Sequence, residues 1–107
     1  MPTTLPSPVV VSALVGSSAS VQVMPVNLTR QGLYVFNASA VVIWVCPATT
    51  GAGAPVAAAV NGAGSVAIPS QQGLTLAPRT TPQFTNALNA IAASGSNNPL
   101  SIWEFYQ

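Results

Sequence analysis

Hydrophobic and polar positions alternate along most of this chain with a period of two, the spacing of strands rather than helices. VVVSALV (residues 9–15) is a β-branched run closed by GSS. SVQVM (20–24) sets Val21 and Val23 against Ser20 and Gln22, as a half-exposed strand does, and Pro25 stops it. LYVFN (33–37) puts Leu33 and Val35 on one face and Tyr34 and Phe36 on the other. VVIWVC (41–46) is apolar on both faces, which suits a strand covered from both sides, in the middle of a sandwich or at a subunit contact. NASA between these runs reads as a tight reversal, so the pair predicts a β-hairpin. NLTRQG, which leads into them, is a connection in which Gly32 is free to take positive φ.

Beyond the Gly/Ala/Thr-rich loop PATTGAGAP, VAAAV predicts a weak strand and NGAG a turn at residues 61–64. SVAIP then places Val66 and Ile68 on one side of a strand, SQQG turns again, and LTLAP (74–78) adds another short strand. PLSIWEFYQ alternates, with Leu100, Ile102 and Glu104 on one face and Trp103 and Phe105 on the other. Turn signals recur about every 8–12 residues, the spacing of an all-β sandwich or barrel. One segment departs from that period. TTPQFTNALNAIAASG offers Thr81 as N-cap, Pro82 at the first helical position, Phe84, Leu88 and Ile91 at i, i+4 and i+7, and Gly95 as a stop. It predicts a short helix near residues 82–93, with its apolar stripe laid on the sheet. Pro2, Pro6 and Pro8 make residues 1–8 an extended N-terminal arm. The expected fold is therefore all-β: a single β-sandwich or jelly-roll-like domain over residues 9–107, with about seven short strands and that one helix.

Charge changes the picture most. Charged residues are 3% of the 107, against roughly 25% in an ordinary soluble domain. The chain has no His, Lys or Asp; its charged side chains are Arg30, Arg79 and Glu104. General acid–base catalysis needs a group whose pKa can be brought near the working pH, and only Glu104 and Cys46 could try. Cys46 has no histidine to activate it. One cysteine and one glutamate cannot close a zinc or calcium site, and no cofactor is implied. A net charge of +1 gives no basic footprint for nucleic acid. The composition argues against an enzyme.

A single cysteine rules out an internal disulfide, and within VVIWVCP it reads as a small buried hydrophobe. Pro47 breaks the longest apolar stretch (residues 40–48), which falls short of the about 20 residues a spanning helix needs. The first twenty residues imitate a signal peptide but lack a basic start, and three prolines precede their apolar part. NLT at Asn27 and NAS at Asn37 match the glycosylation acceptor pattern, as chance allows in a chain rich in Asn, Ser and Thr. A surface of Ser, Thr, Asn, Gln, Gly and Ala has given up the charge that keeps like copies apart. That is tolerable where other subunits cover much of it, and edge strands without lysines are open to pairing.

Three stretches in order, PVNLTRQGLYVFNASAVVIWVCP, GAGSVAIPSQQGLTL and TPQFTNALNAIAASGSNNPLSIWEF, resemble small β-rich virion proteins of tailed bacteriophages, of the capsid decoration (cement) type. The resemblance spans about residues 21–105. It implies a β-sandwich or jelly-roll module on the outer surface of a phage head, made in the host cytoplasm. There it would bridge neighbouring major capsid protein subunits and pair with copies of itself as a dimer or trimer. Head-fibre, tail-fibre or neck modules are the alternative within that setting, and a carbohydrate-binding or adhesin domain lies outside it.

The candidate site residues are interface residues. Pro2, Leu5, Pro6 and Pro8 belong to the arm that would reach a capsid or neighbour. Arg30 and Arg79 would donate to carbonyls or acidic groups of a partner; for Arg30 the alternative is Glu104 within the chain. Tyr34, Tyr106 and Trp44 are the aromatics a binding module would expose. As tryptophans, Trp44 and Trp103 read as core more readily than as ligand-binding groups.

Overall fold

The period-two pattern folds into eight strands, each with one face turned inward. The computed structural model describes residues 7–28, 30–49, 54–76 and 86–106. In chain order the strands are β1 (Ser7–Val15), β2 (Val21–Met24), β3 (Arg30–Asn37), β4 (Ile43–Pro47), β5 (Val66–Ile68), β6 (Gly73–Leu76), β7 (Leu88–Ala92) and β8 (Asn98–Tyr106). They form two antiparallel four-stranded sheets, ordered β1-β8-β3-β6 and β2-β7-β4-β5. The chain changes sheet from β1 to β2, β2 to β3, β3 to β4, β5 to β6, β6 to β7 and β7 to β8. This is the connectivity of a jelly roll.

The core lies between the sheets. Val15, Leu33, Val35, Leu100 and Ile102 of the first sheet meet Val23, Ile43, Val45, Ile68, Leu88, Ala90 and Ala92 of the second. Leu33 and Val35 face inward as their alternation requires, and Leu100, Ile102 and Glu104 do the same on β8. Fully burying a Leu, Ile or Val side chain contributes about 1.5–3 kcal/mol, so the alternation itself holds the sandwich closed.

Several expectations give way, beginning with the count of about seven strands, which is eight among the described residues. No helix occurs among the described residues, and Leu88–Ala92, within the span read as helical, is β7, an inner strand of the second sheet. Leu88, Ala90 and Ala92 point to the core while Asn89 and Ile91 point away. Pairing with β2 on one side and β4 on the other outweighs the helix propensity of an Ala-rich stretch. Residues 77–85, the start of the expected helix included, lie outside the described residues. The hairpin also fails. β3 pairs with β8 and β6, and β4 with β7 and β5, so residues 38–42 carry the chain from one sheet to the other. Gly32 is not at positive φ; it sits in β3 beside the register shift that follows Arg30. The weak strand at residues 56–60 is irregular, whereas the turn at residues 61–64 forms, with Asn61 and Gly64 at φ 55° and 84°.

Of the expected arm, residues 1–6 lie outside the described residues, and Ser7 and Pro8 already pair with Tyr106 and Phe105.

The crossing at residues 38–42 is organised by Asn37, fully buried at the end of β3. Its Nδ2 donates to Val41 O (2.7 Å) and Ile68 O (2.8 Å), and its Oδ1 accepts from Ser39 N (2.9 Å) and Ser39 Oγ (2.6 Å). The backbone of Asn37 donates to Gln72 O and accepts from Gln71 N, and Ser70 Oγ donates to Ser39 O. One amide thus locks the β3–β4 crossing to the β5–β6 turn. Asn37→Ala would strand several buried groups at once, each costing about 1–3 kcal/mol. We expect a stability loss of about 3 kcal/mol or more in urea unfolding, and a similar loss for Asn37→Asp, whose carboxylate cannot donate to Val41 O or Ile68 O.

Candidate functional site

Two parts of the molecule carry the residues singled out from the sequence: the Arg30 end of the sandwich and the outer face of the first sheet. Arg30 opens β3 and points inward, 1% exposed. Its Nε donates to Glu104 Oε2 at 2.7 Å, and the glutamate side chain is itself only 10% exposed. The other two nitrogens reach the second sheet's strand ends. Nη1 donates to Asn86 O (2.8 Å), just before β7, and Nη2 to Pro25 O (2.8 Å), just after β2. The pairing within the chain is therefore the one present, and the expectation that Arg30 faces a partner is corrected. In a core this apolar, a guanidinium needs its counter-charge and carbonyls on the spot.

The remaining expected interface residues divide. Pro2, Leu5, Pro6 and Arg79 lie outside the described residues. Pro8 is in β1, across from Phe105. Tyr106 is in β8, its backbone paired with Ser7 and Arg30. Tyr34 lies on the outer face of the first sheet, half-buried.

That outer face can be read row by row from the register. Val10, Trp103, Tyr34 and Thr75 lie side by side on β1, β8, β3 and β6. Ser12, Ser101, Phe36 and Gly73 form the next row, and Leu14 with Pro99 lies beyond. Val10 and Leu14 are each 63% exposed and Trp103 46%. Trp103 is therefore a surface residue, not part of the core, because it falls on the opposite face of β8 from Ile102. Its ring meets Tyr34 edge to face, with centroids 6.3 Å apart at 66°. The Tyr34 ring covers Gly73, where any Cβ would collide with the phenol. The glycine on the edge strand thus gives the aromatic ring its seat. Among the described residues, no charged side chain stands on this face.

The second sheet's outer face is different, because the chain covers it with residues 54–65. Asn89 Nδ2 donates to Val56 O (2.6 Å), Ala58 N donates to Ser20 Oγ (2.9 Å), and Ala58 is buried. Cys46 and Trp44 point to this covered side. Trp44 is half-buried, and its Nε1 is, among the described residues, the one buried side-chain polar atom without a hydrogen-bond partner. Burial pushes the Cys46 thiol up from its ordinary 9.0, with a hydrogen bond to Ser65 pulling the other way. Asn37, within the second acceptor pattern, is fully buried and bonded through both side-chain atoms, so it is closed to glycosylation in the folded state.

An apolar cleft of about 220 Å³ opens between the sheets beside Leu33, Val45, Val66, Leu74, Leu76 and Leu88. Its polar contributor, Asn86, already spends its amide on Thr49 O and Oγ1.

Val10, Leu14 and Trp103 were not singled out beforehand as surface contacts. The signal was present in SPVVVSALV: a strand apolar on both faces, at an edge, must leave one apolar face uncovered.

No family model matches the chain, and no curated protein matches it. Among solved structures it is similar to a chain from Bacillus endospore appendages, described as "a novel family of disulfide-linked pili". The TM-score is 0.52 at 7% identity, covering 98% of this chain and 91% of that one. At that identity the likeness is one of fold: an all-β sandwich over nearly the whole length.

Two measurements test the polar interior. Arg30→Ala or Glu104→Ala alone leaves a buried charge unpaired and should cost about 3–5 kcal/mol, whereas Arg30→Met with Glu104→Leu should recover most of it. For Cys46, the unfolded chain releases its proton near pH 9.0 while the folded chain holds it to higher pH, so stability falls as pH rises through that window. Urea midpoints above about pH 8.5 should decline less steeply in Cys46→Ala than in the wild type.

Proposed function

We propose that this chain is a structural subunit whose work is done as part of an ordered protein assembly, and that the assembly is a bacteriophage head carrying it as a decoration protein. The observation that carries the assembly reading is the surface. Of the three charged side chains, Arg30 and Glu104 are buried against each other and Arg79 lies outside the described residues. Every described exposed side chain is therefore uncharged, while Val10, Leu14, Leu28, Val66 and Trp103 stand at the surface. A protein that diffuses freely keeps like copies apart by charge, and this one has no described charge with which to do so. The jelly-roll connectivity suits the same use, being an architecture of capsid proteins. The placement on a phage head rests on the sequence resemblance, with the major capsid protein and further copies of this chain as partners.

A second reading, a subunit of a surface appendage, has the fold likeness in its favour. Such an appendage would differ from the disulfide-linked pili in its chemistry. Cys46 is the chain's one cysteine and is buried beneath residues 54–65, so it could not cross-link folded subunits.

Copy number decides between them. In purified particles the chain should approach the abundance of the major capsid protein by quantitative mass spectrometry. A few copies per particle, or filaments formed by the purified chain alone under the electron microscope, would overturn the decoration reading.

A further inference from the structure

We infer that the outer face of the first sheet pairs with the same face of a second copy, sheet against sheet, about a two-fold axis close to Trp103. The proposal rests on the assembly reading above and names the contact it uses.

The two outer faces of the sandwich are treated unequally. Residues 54–65 lie over the second sheet, tied down through Asn89 and Ser20. Among the described residues the first sheet has no such cover: Val10, Leu14 and Trp103 stay exposed on it, with Ser12 and Thr75 among them. A sheet face left to solvent ordinarily carries charged residues, whereas the described polar residues of this one are serines and a threonine set between large apolar side chains.

Three properties fix the occupant. The first is area. β1 and β8 are nine residues long, β3 eight and β6 four, so at about 3.4 Å per residue and about 4.8 Å between strands the face offers roughly 500 Å². Two such faces bury about 1,000 Å², which reaches the size a specific interface must clear; a single added peptide strand would cover only a fraction of it. The second is charge. An uncharged face gains nothing from an acidic or basic partner, and its best match is another uncharged apolar face, which every second copy brings. The third is rigidity. Tyr34 is seated over Gly73 and holds Trp103 edge to face, so the aromatic centre is ordered before it meets a partner. Self-matching about a two-fold axis lets Trp103 of one copy sit among the Val10, Tyr34 and Trp103 side chains of the other, as an isologous contact requires. Sheets stacked face to face would lie about 10 Å apart.

The test is sedimentation equilibrium of the full chain from micromolar to millimolar concentration. A monomer–dimer equilibrium is expected, and Trp103→Glu should weaken it by about 30-fold or more, as loss of a central aromatic anchor does. Val10→Lys, at a more exposed position, should weaken it in the same direction and supplies the readout if Trp103→Glu fails to fold. Val60→Lys, on the covering segment of the other side, should leave the dissociation constant unchanged. A chain that is monomeric throughout, or a dimer indifferent to both face variants, overturns the proposal. A chain abundant on particles yet monomeric in solution would remove the pairing and leave the assembly reading intact. A dimer sensitive to Trp103 but absent from particles would do the reverse.

Discussion

An arginine and a glutamate buried in an apolar sandwich must find each other, because neither can be solvated there by anything but the protein itself. Arg30 and Glu104 do so at 2.7 Å, from neighbouring strands of the first sheet. The rest of the guanidinium then spans the gap to the second sheet, at Pro25 O and Asn86 O. The pair is thus less a bond between two residues than a clasp across the two layers. It draws in the start of β3, the end of β2, the entry to β7 and the far part of β8. It also removes from the described surface the charge the composition had supplied. The uncharged described exterior and the closed end of the sandwich have one cause.

β3 carries a second buried polar residue at its other end. Asn37 does with neutral hydrogen bonds what Arg30 does with charge: it satisfies carbonyls left open where the chain leaves one sheet for the other. Between them run Leu33 and Val35, both in the core. A strand with apolar residues in its middle and a polar lock at each end resists sliding, since a shift of one residue would put both locks on the outer face. The register that aligns Val10, Trp103 and Tyr34 outside follows from the same constraint.

Much of this was legible in the chain. The period-two runs placed most strands and sorted Leu33 from Tyr34 and Ile102 from Trp103, because burial of one face leaves its mark on alternate residues. Arg30 with Glu104 was readable as an alternative on inventory alone, there being no other acid. The failures came where local and non-local information disagree. LNAIA at residues 88–92 alternates as a strand, yet its alanines and the Phe84, Leu88, Ile91 spacing suit a helix equally well. Only the pairing with β2 and β4, supplied by distant residues, settles the matter. The reversal at residues 37–40 looked like a hairpin turn because a tight turn and a sheet-to-sheet crossing use the same small polar residues. The exposed face was missed because an outward apolar residue looks locally like an inward one.

The position of β8 has a consequence for how the molecule comes into being. It lies between β1 and β3 in the first sheet and supplies Glu104 to Arg30, 74 residues away in the chain. Neither β1 nor β3 can complete its pairing until this late segment has been made and has returned to fill the gap. Contacts so remote in sequence must wait for large loops to close, which makes folding slow. During that wait the inward faces of β1 and β3 are uncovered as well as the outward ones, in a chain with almost no charge to hold nascent copies apart. The feature that seals the finished sandwich is therefore the one that leaves it most exposed to mispairing while it is being built.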